Sequence, residues 1–182
     1  MKSIVRTWRL ATVLFVAASG ATTLSFSPAF SSPINNPRAV ANCTSAQLHV
    51  THGAAVARFL PEGRKITTTF IFRNTGPTCA IWGSPNVRAA VGKMHVAVGP
   101  WATNLSAGVT APHHIVARGA AVKSKYSAAV YYSLGNCHPT YGDGVVVALH
   151  GFVKPLYLAL PITVCTGTNS ETTQLIAAGT AG

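Results

Sequence analysis

From residue 65 to residue 73 the chain reads Lys-Ile-Thr-Thr-Thr-Phe-Ile-Phe-Arg, and this unbroken alternation limits the fold more than any other feature. Side chains of a strand point alternately to opposite faces, so Ile66, Thr68, Phe70 and Phe72 share one face while Thr67, Thr69, Ile71 and Arg73 share the other. The segment predicts a central strand, closed by the turn residues Asn74-Thr75-Gly76-Pro77. Residues 47–52 alternate in the same way, with Leu48 and Val50 on one face, and predict an edge strand. Further strand candidates lie at residues 78–82, 87–91, 94–98, 113–117, 126–133, 145–150, 156–160 and 162–165, with Gly, Pro or Asn between most of them. No window holds a 3.6-residue period for ten residues, residues 120–129 coming nearest, and no internal repeat is present. Short strands punctuated at this spacing predict an all-β antiparallel sandwich, and residues 43–165 suffice for one such domain of ~100 residues with an extra hairpin.

The N-terminus carries Lys2, Arg6 and Arg9, then no charge until Arg38, with its densest apolar stretch at residues 10–18. That is the layout of a signal peptide. Beyond Ser19 the apolar character thins, whereas a membrane-spanning helix needs ~20 predominantly apolar residues. Residues 1–31 are therefore read as a cleaved leader, with small residues at 27–31 and Ala39-Val40-Ala41 both open as cleavage points. The alternative is an uncleaved N-terminal helix that anchors the protein in a membrane. Asn42, directly before Cys43 and far from the apolar stretch, does not fit a lipoprotein. Residues 32–41 read as a flexible arm, residues 42–168 as the sandwich, and residues 169–182 as a disordered tail with one apolar patch at Leu175-Ile176. The expected location is secreted or cell-wall associated.

Export gives the four cysteines their meaning. Cys43, Cys79, Cys137 and Cys165 contain no C-x-x-C pair, which removes thioredoxin-like and zinc-ribbon readings, and in an oxidising compartment they predict two disulfides. Pairing sequence neighbours, Cys43 with Cys79 and Cys137 with Cys165, needs the fewest crossings.

With these marks in place, NTGPTCAIWGSPNV at residues 74–87 resembles the signature of an actinobacterial exported family known as domain of unknown function 4232. Cys43, the turn Arg118-Gly119-Ala120 before a strand, Cys137 and Val164-Cys165 follow in that family's order, so the likeness covers residue 42 to about residue 168. Ser84 stands where the family usually has Tyr, and Asn86 where it usually has Gly. The resemblance implies an immunoglobulin-like β-sandwich, export or lipoprotein attachment, and no assigned activity.

Charge supplies the functional expectation. The chain has 14 Lys and Arg against 3 acids, Glu62, Asp143 and Glu171, for a formal net charge of +11. So few carboxylates exclude a paired-acid glycosidase, an EF-hand and a carboxylate-bridged metal centre. Arg118, Lys123 and Lys125 fall within eight positions and predict a basic edge toward an anionic cell-envelope polymer or lipid headgroups. No RNP-like or helix-turn-helix pattern points to a specific nucleic acid. Trp82, between a cysteine strand and a turn, is expected to plug the core, and Trp101, after Gly99-Pro100, to stand as an exposed aromatic.

Catalytic and metal readings find less support. His49 and His52 lie three apart on a strand, and His113 and His114 are adjacent, so each pair diverges. His95, His138 and His150 would have to converge in space, and ordinary surface or hydrogen-bonded histidines are the simpler reading. There is no G-x-S-x-G elbow, and the Ser133–His138 stretch matches transpeptidase blocks poorly, lacking a histidine ahead of its cysteine and a nearby Arg. No metal and no cofactor are expected. The sequence thus predicts a non-catalytic cell-envelope binding or interaction module. The alternatives are a structural wall protein without ligand, and an enzyme using His138, Asp143 and His150.

Overall fold

A computed structural model describes residues 39–179. Among these residues there is no helix, and the strands follow the punctuation of the sequence: β1 (Leu48–His52), β2 (Val56–Leu60), β3 (Gly63–Asn74), β4 (Cys79–Ile81), β5 (Asn86–Val91), β6 (Val96–Val98), β7 (Thr103–Asn104), β8 (His114–Val116), β9 (Ala121–Tyr131), β10 (Pro139–Ala148), β11 (Leu156–Cys165), β12 (Glu171–Thr173) and β13 (Ala177–Ala178). The leader reading at residues 1–31 and most of the arm lie outside the described residues.

Two sheets make the sandwich. The larger runs β1-β3-β9-β12-β7, with β2 also on β3 and β13 also on β9; the smaller runs β11-β10-β5-β6. The smaller order is that of an immunoglobulin G-F-C-C′ sheet, and β1-β3-β9 is that of A-B-E. Each sheet turns one set of alternate residues inward. Phe70 and Phe72 from β3 and Tyr126 from β9 are fully buried against Val87, Val145, Val147, Leu160 and Ile162 of the opposite layer. Phe70 and Tyr126 stack at 4.8 Å. β3 is interior, flanked by β9 along its whole length and by β1 and β2 in line on its other side. Gly63 opens it because a Cβ there would collide with the Val130 carbonyl.

Cys43 pairs with Cys79 and Cys137 with Cys165, leaving no free cysteine. The first bridge fastens the entry segment to the small β4-β8 ribbon; the second ties the β9–β10 loop to the end of β11.

Besides short strands that were not expected, β2, β7 and β13, four expectations need correction. Residues 126–133 are preceded by five more strand residues, because β9 begins at Ala121, directly after the turn in which Gly119 takes φ +83°. The candidates at 156–160 and 162–165 are one strand. Pro161 has no N–H to donate, and the ladder absorbs it as a bulge: Gly142 and Gly144 of β10 face Ile162 and Ala159, so Asp143 opposes two residues. The expected frayed tail is a third correction. Its Glu171, Thr173 and Ile176 are buried, and β12 pairs antiparallel with β9. β12 sits beside the E-type strand where an immunoglobulin fold has strand D, which leaves this stretch structural. Trp82 is the fourth: it is half-buried, stacked on His113 at 4.6 Å and tilted against His150 at 4.9 Å, while the phenylalanines and Tyr126 fill the core instead.

Two buried polar groups are satisfied inside the domain. Asn74, 0% exposed, donates from Nδ2 to the carbonyls of Pro77 and Val116 at 2.8 Å each, and its Oδ1 accepts from the Gly76 N–H at 2.9 Å. Glu171, 1% exposed, reaches between the sheets, where the Tyr126 hydroxyl donates to it at 2.5 Å. Burial pushes its carboxyl up to about 7, against the opposing pull of the Tyr126 hydroxyl, the Ala89 N–H and the Arg88 charge. The same desolvation, together with the Glu171 charge, holds the Tyr126 phenol well above its usual range.

Candidate anion-binding face

The alternation that buries Phe70 and Phe72 must turn the intervening residues of β3 outward. The register of the neighbouring strands then decides what joins them. Arg58 of β2 lies directly opposite Lys65, Thr69 of β3 opposite Lys125 of β9, Ile71 opposite Lys123, and Arg73 opposite both Ala121 and His49. The outer face of the larger sheet thus carries Arg58, Lys65, Lys123, Lys125 and Arg73. At ~3.3 Å per residue the span from Lys65 to Arg73 is about 26 Å.

The densest part is a concavity of about 380 Å³ lined by Val56, Arg58, Lys65, Thr67 and Lys125. Its floor is polar, with the Thr67 and Ser127 hydroxyls 3.1 Å apart in a hydrogen bond. All three acids of the chain are engaged elsewhere. Glu62, in the β2–β3 turn, accepts from Ser133 Oγ at 2.7 Å; Asp143 accepts from the Gly92 N–H at 3.0 Å; Glu171 is between the sheets. Like charges directly opposite on a sheet repel by a few tenths of a kcal/mol to about 1 kcal/mol. Arg58 facing Lys65, with Lys125 lining the same hollow, is therefore an arrangement that a phosphate or another multivalent anion would relieve.

Of the residues singled out along the sequence, Lys123 and Lys125 share this face, being two apart on β9. Arg118 does not join the hollow. It is exposed in the turn before β9, and Lys125 stands about 13 Å into the strand from Ala121. The cations that do join Lys125, Arg58 and Lys65, come from strands distant in sequence.

Trp101 is 47% exposed, and its ring has the Arg88 guanidinium 5.2 Å from its centre. Asn169 Nδ2 donates to its carbonyl at 2.9 Å, so the ring covers the arginine that faces Glu171. His138 and His150 stand at opposite ends of β10, directly before and two residues after it, and the strand between them holds ten residues. The His138, Asp143 and His150 constellation is not assembled. His95 stacks on Tyr157, and His114 Nε2 is 2.9 Å from the Ile176 carbonyl. Among the described residues no three His, Cys, Asp or Glu side chains converge, and no helix is long and apolar enough to cross a membrane.

No family model, curated protein or solved structure matches the chain. Its chemistry is read from this face.

Proposed function

We propose that the protein is a non-catalytic module that attaches to an anionic component of the cell envelope through the outer face of its larger sheet. The supporting observation is Arg58 set opposite Lys65 with Lys125 in the same hollow, while Glu62, Asp143 and Glu171 accept hydrogen bonds elsewhere. Each Lys or Arg near a negatively charged surface contributes about 1 kcal/mol, falling off within ~10 Å at moderate salt. Three such residues in one hollow give attachment that low salt strengthens and high salt removes. Export, a cleaved leader, wall location and kinship with the family of domain 4232 belong to the same proposal.

The test is retention on isolated cell-wall material and on soluble polyphosphate across an ionic-strength series. Changing Arg58, Lys65 and Lys125 together to Gln is expected to weaken low-salt binding by about a hundredfold, from three contributions of that size. Arg118→Gln alone is expected to change it less than tenfold. Equal retention of triple variant and parent, or binding that high salt leaves unchanged, refutes the reading.

A further inference from the structure

Arg58 and Lys65 of the hollow lie on the two strands that the β2–β3 turn joins, and that end of the sheet has a different character. Phe59 is 87% exposed, Tyr132 67% and Leu134 45%. Phe59 and Leu60 close β2, and Tyr132 and Leu134 follow β9; the two turns are tied by the Tyr132 N–H donating to the Glu62 carbonyl at 2.8 Å and by Ser133 Oγ donating to the Glu62 carboxylate. Between them lies an apolar hollow of about 450 Å³ lined by Leu60, Pro61, Glu62 and Tyr131. Phe59 is not misplaced by the pleat. It pairs with Arg64 on the side of β3 that elsewhere meets the smaller sheet, and the guanidinium lies 6.0 Å from its ring. Loop tips are ordinarily polar, and contiguous exposed apolar side chains mark a contact surface.

We propose that this tip docks on a lipid bilayer: Phe59, Leu60, Tyr132 and Leu134 enter the boundary between headgroups and acyl chains while the adjoining basic face holds the lipid phosphates. The inference rests on the anion-binding reading above and names its partner. Charge complementarity selects the occupant. Arg58, Arg64 and Lys65 flank the apolar residues, and the one acid at the tip is already bonded to Ser133. A wall polymer offers phosphates alone, whereas an anionic bilayer offers phosphates and an apolar layer together, at the spacing of a cationic collar behind an apolar tip. Tyrosine, with its apolar ring and polar hydroxyl, suits that boundary.

The experiment compares the oxidised protein as exported by its host with the double variant Phe59→Ser, Leu134→Ser produced in the same way, so that whatever precedes residue 39 is common to both and intact mass shows whether the leader is gone. The probes are vesicles of mixed phosphatidylcholine and phosphatidylglycerol, and polyphosphate in solution. The double variant is expected to partition to vesicles at least about tenfold more weakly, since even partial burial of two such side chains is worth that factor, while its polyphosphate binding is unchanged. Phe59→Trp provides a second reading independent of that variant's folding: the emission it adds over the parent's own three tryptophans is expected to shift to the blue on adding vesicles and to be quenched by brominated lipid. Equal partitioning of variant and parent, or a Phe59→Trp emission that vesicles leave unchanged, overturns the proposal. So does a loss of self-association in the double variant with no change in partitioning, which would assign the tip to a second copy of the chain. A parent that binds polyphosphate but not vesicles overturns the tip and leaves the attachment reading standing; a parent that binds neither removes both.

Discussion

Replacing Glu171 by Gln isolates the one carboxyl that the sandwich buries. The unfolded group titrates near 4.5 and the folded one at about 7. A carboxyl raised on folding binds its proton more tightly in the native state, so its contribution is fully present below pH 4.5 and is lost as pH rises through 7. Above that, folding must place a charge between two sheets. Raising the carboxyl from 4.5 to about 7 corresponds to about 3 kcal/mol. For a domain of this size that is roughly 10 °C in melting temperature.

Gln reproduces the protonated form in shape and cannot ionise. Urea unfolding at a series of pH values, followed by intrinsic fluorescence, is expected to show the parent losing about 3 kcal/mol between pH 4.5 and 8 relative to Glu171→Gln. Every other titratable group is common to both proteins, so the difference between them isolates the Glu171 carboxyl. The groups that face the carboxyl are the Tyr126 hydroxyl from β9, and the Ala89 N–H and Arg88 from β5. Arg88→Met removes a charge that favours the ionised form, so its loss of stability is expected to extend to higher pH than the parent's. Parallel curves for parent and Glu171→Gln would refute the reasoning, since the carboxyl would then titrate alike in the folded and unfolded chains.

Two further outcomes follow from the framework. Asn74→Ala leaves the Pro77 and Val116 carbonyls and the Gly76 N–H without their partner, and is expected to cost about 3 kcal/mol in urea unfolding; a cost below 1 kcal/mol would show that the turn re-forms without it. Replacing Cys137 and Cys165 by Ala opens a 28-residue loop, which the chain-entropy model values at about 3.5 kcal/mol, and a midpoint unchanged at constant slope would contradict that.

The parts of the fold that the sequence made legible are those governed by local periodicity. The alternation at residues 65–73 placed Phe70 and Phe72 inward, and the neighbouring-pair rule joined the cysteines as the structure has them. Asn74-Thr75-Gly76 is a structural joint, since every polar atom of the Asn74 side chain is bonded to backbone. What periodicity could not show is which strands adjoin. The stretch after Cys165 reads as Thr, Ser and Asn with little to bury, yet it lies beside β9, and its Glu171 and Ile176 are among the most buried residues of the molecule. β2 escaped for a related reason: an exposed strand with Phe59 in the open has no buried stripe to announce it.

The same limit explains the candidate site. Arg118, Lys123 and Lys125 form one basic cluster along the chain, but density along the chain is not density on a sheet. Arg58 and Lys65 are direct cross-strand neighbours, whereas Arg118 lies in the turn before β9 begins at Ala121. Lys125 lines one hollow with Arg58 and Lys65, 67 and 60 positions earlier in the sequence, and Arg118 does not line it. The signal was present in half: Thr67, Thr69, Ile71 and Arg73 were legible as an outward face of β3, and Lys65 begins the same alternation. Once β9 is known to pair antiparallel with β3 over Gly63–Tyr131 to Arg73–Ala121, that face can only meet the odd-numbered residues of β9, and its lysines follow. A one-residue slip of this pairing would bury Lys123 and Lys125 and expose Tyr126. The core that fixes the register is thus also what gathers the charge.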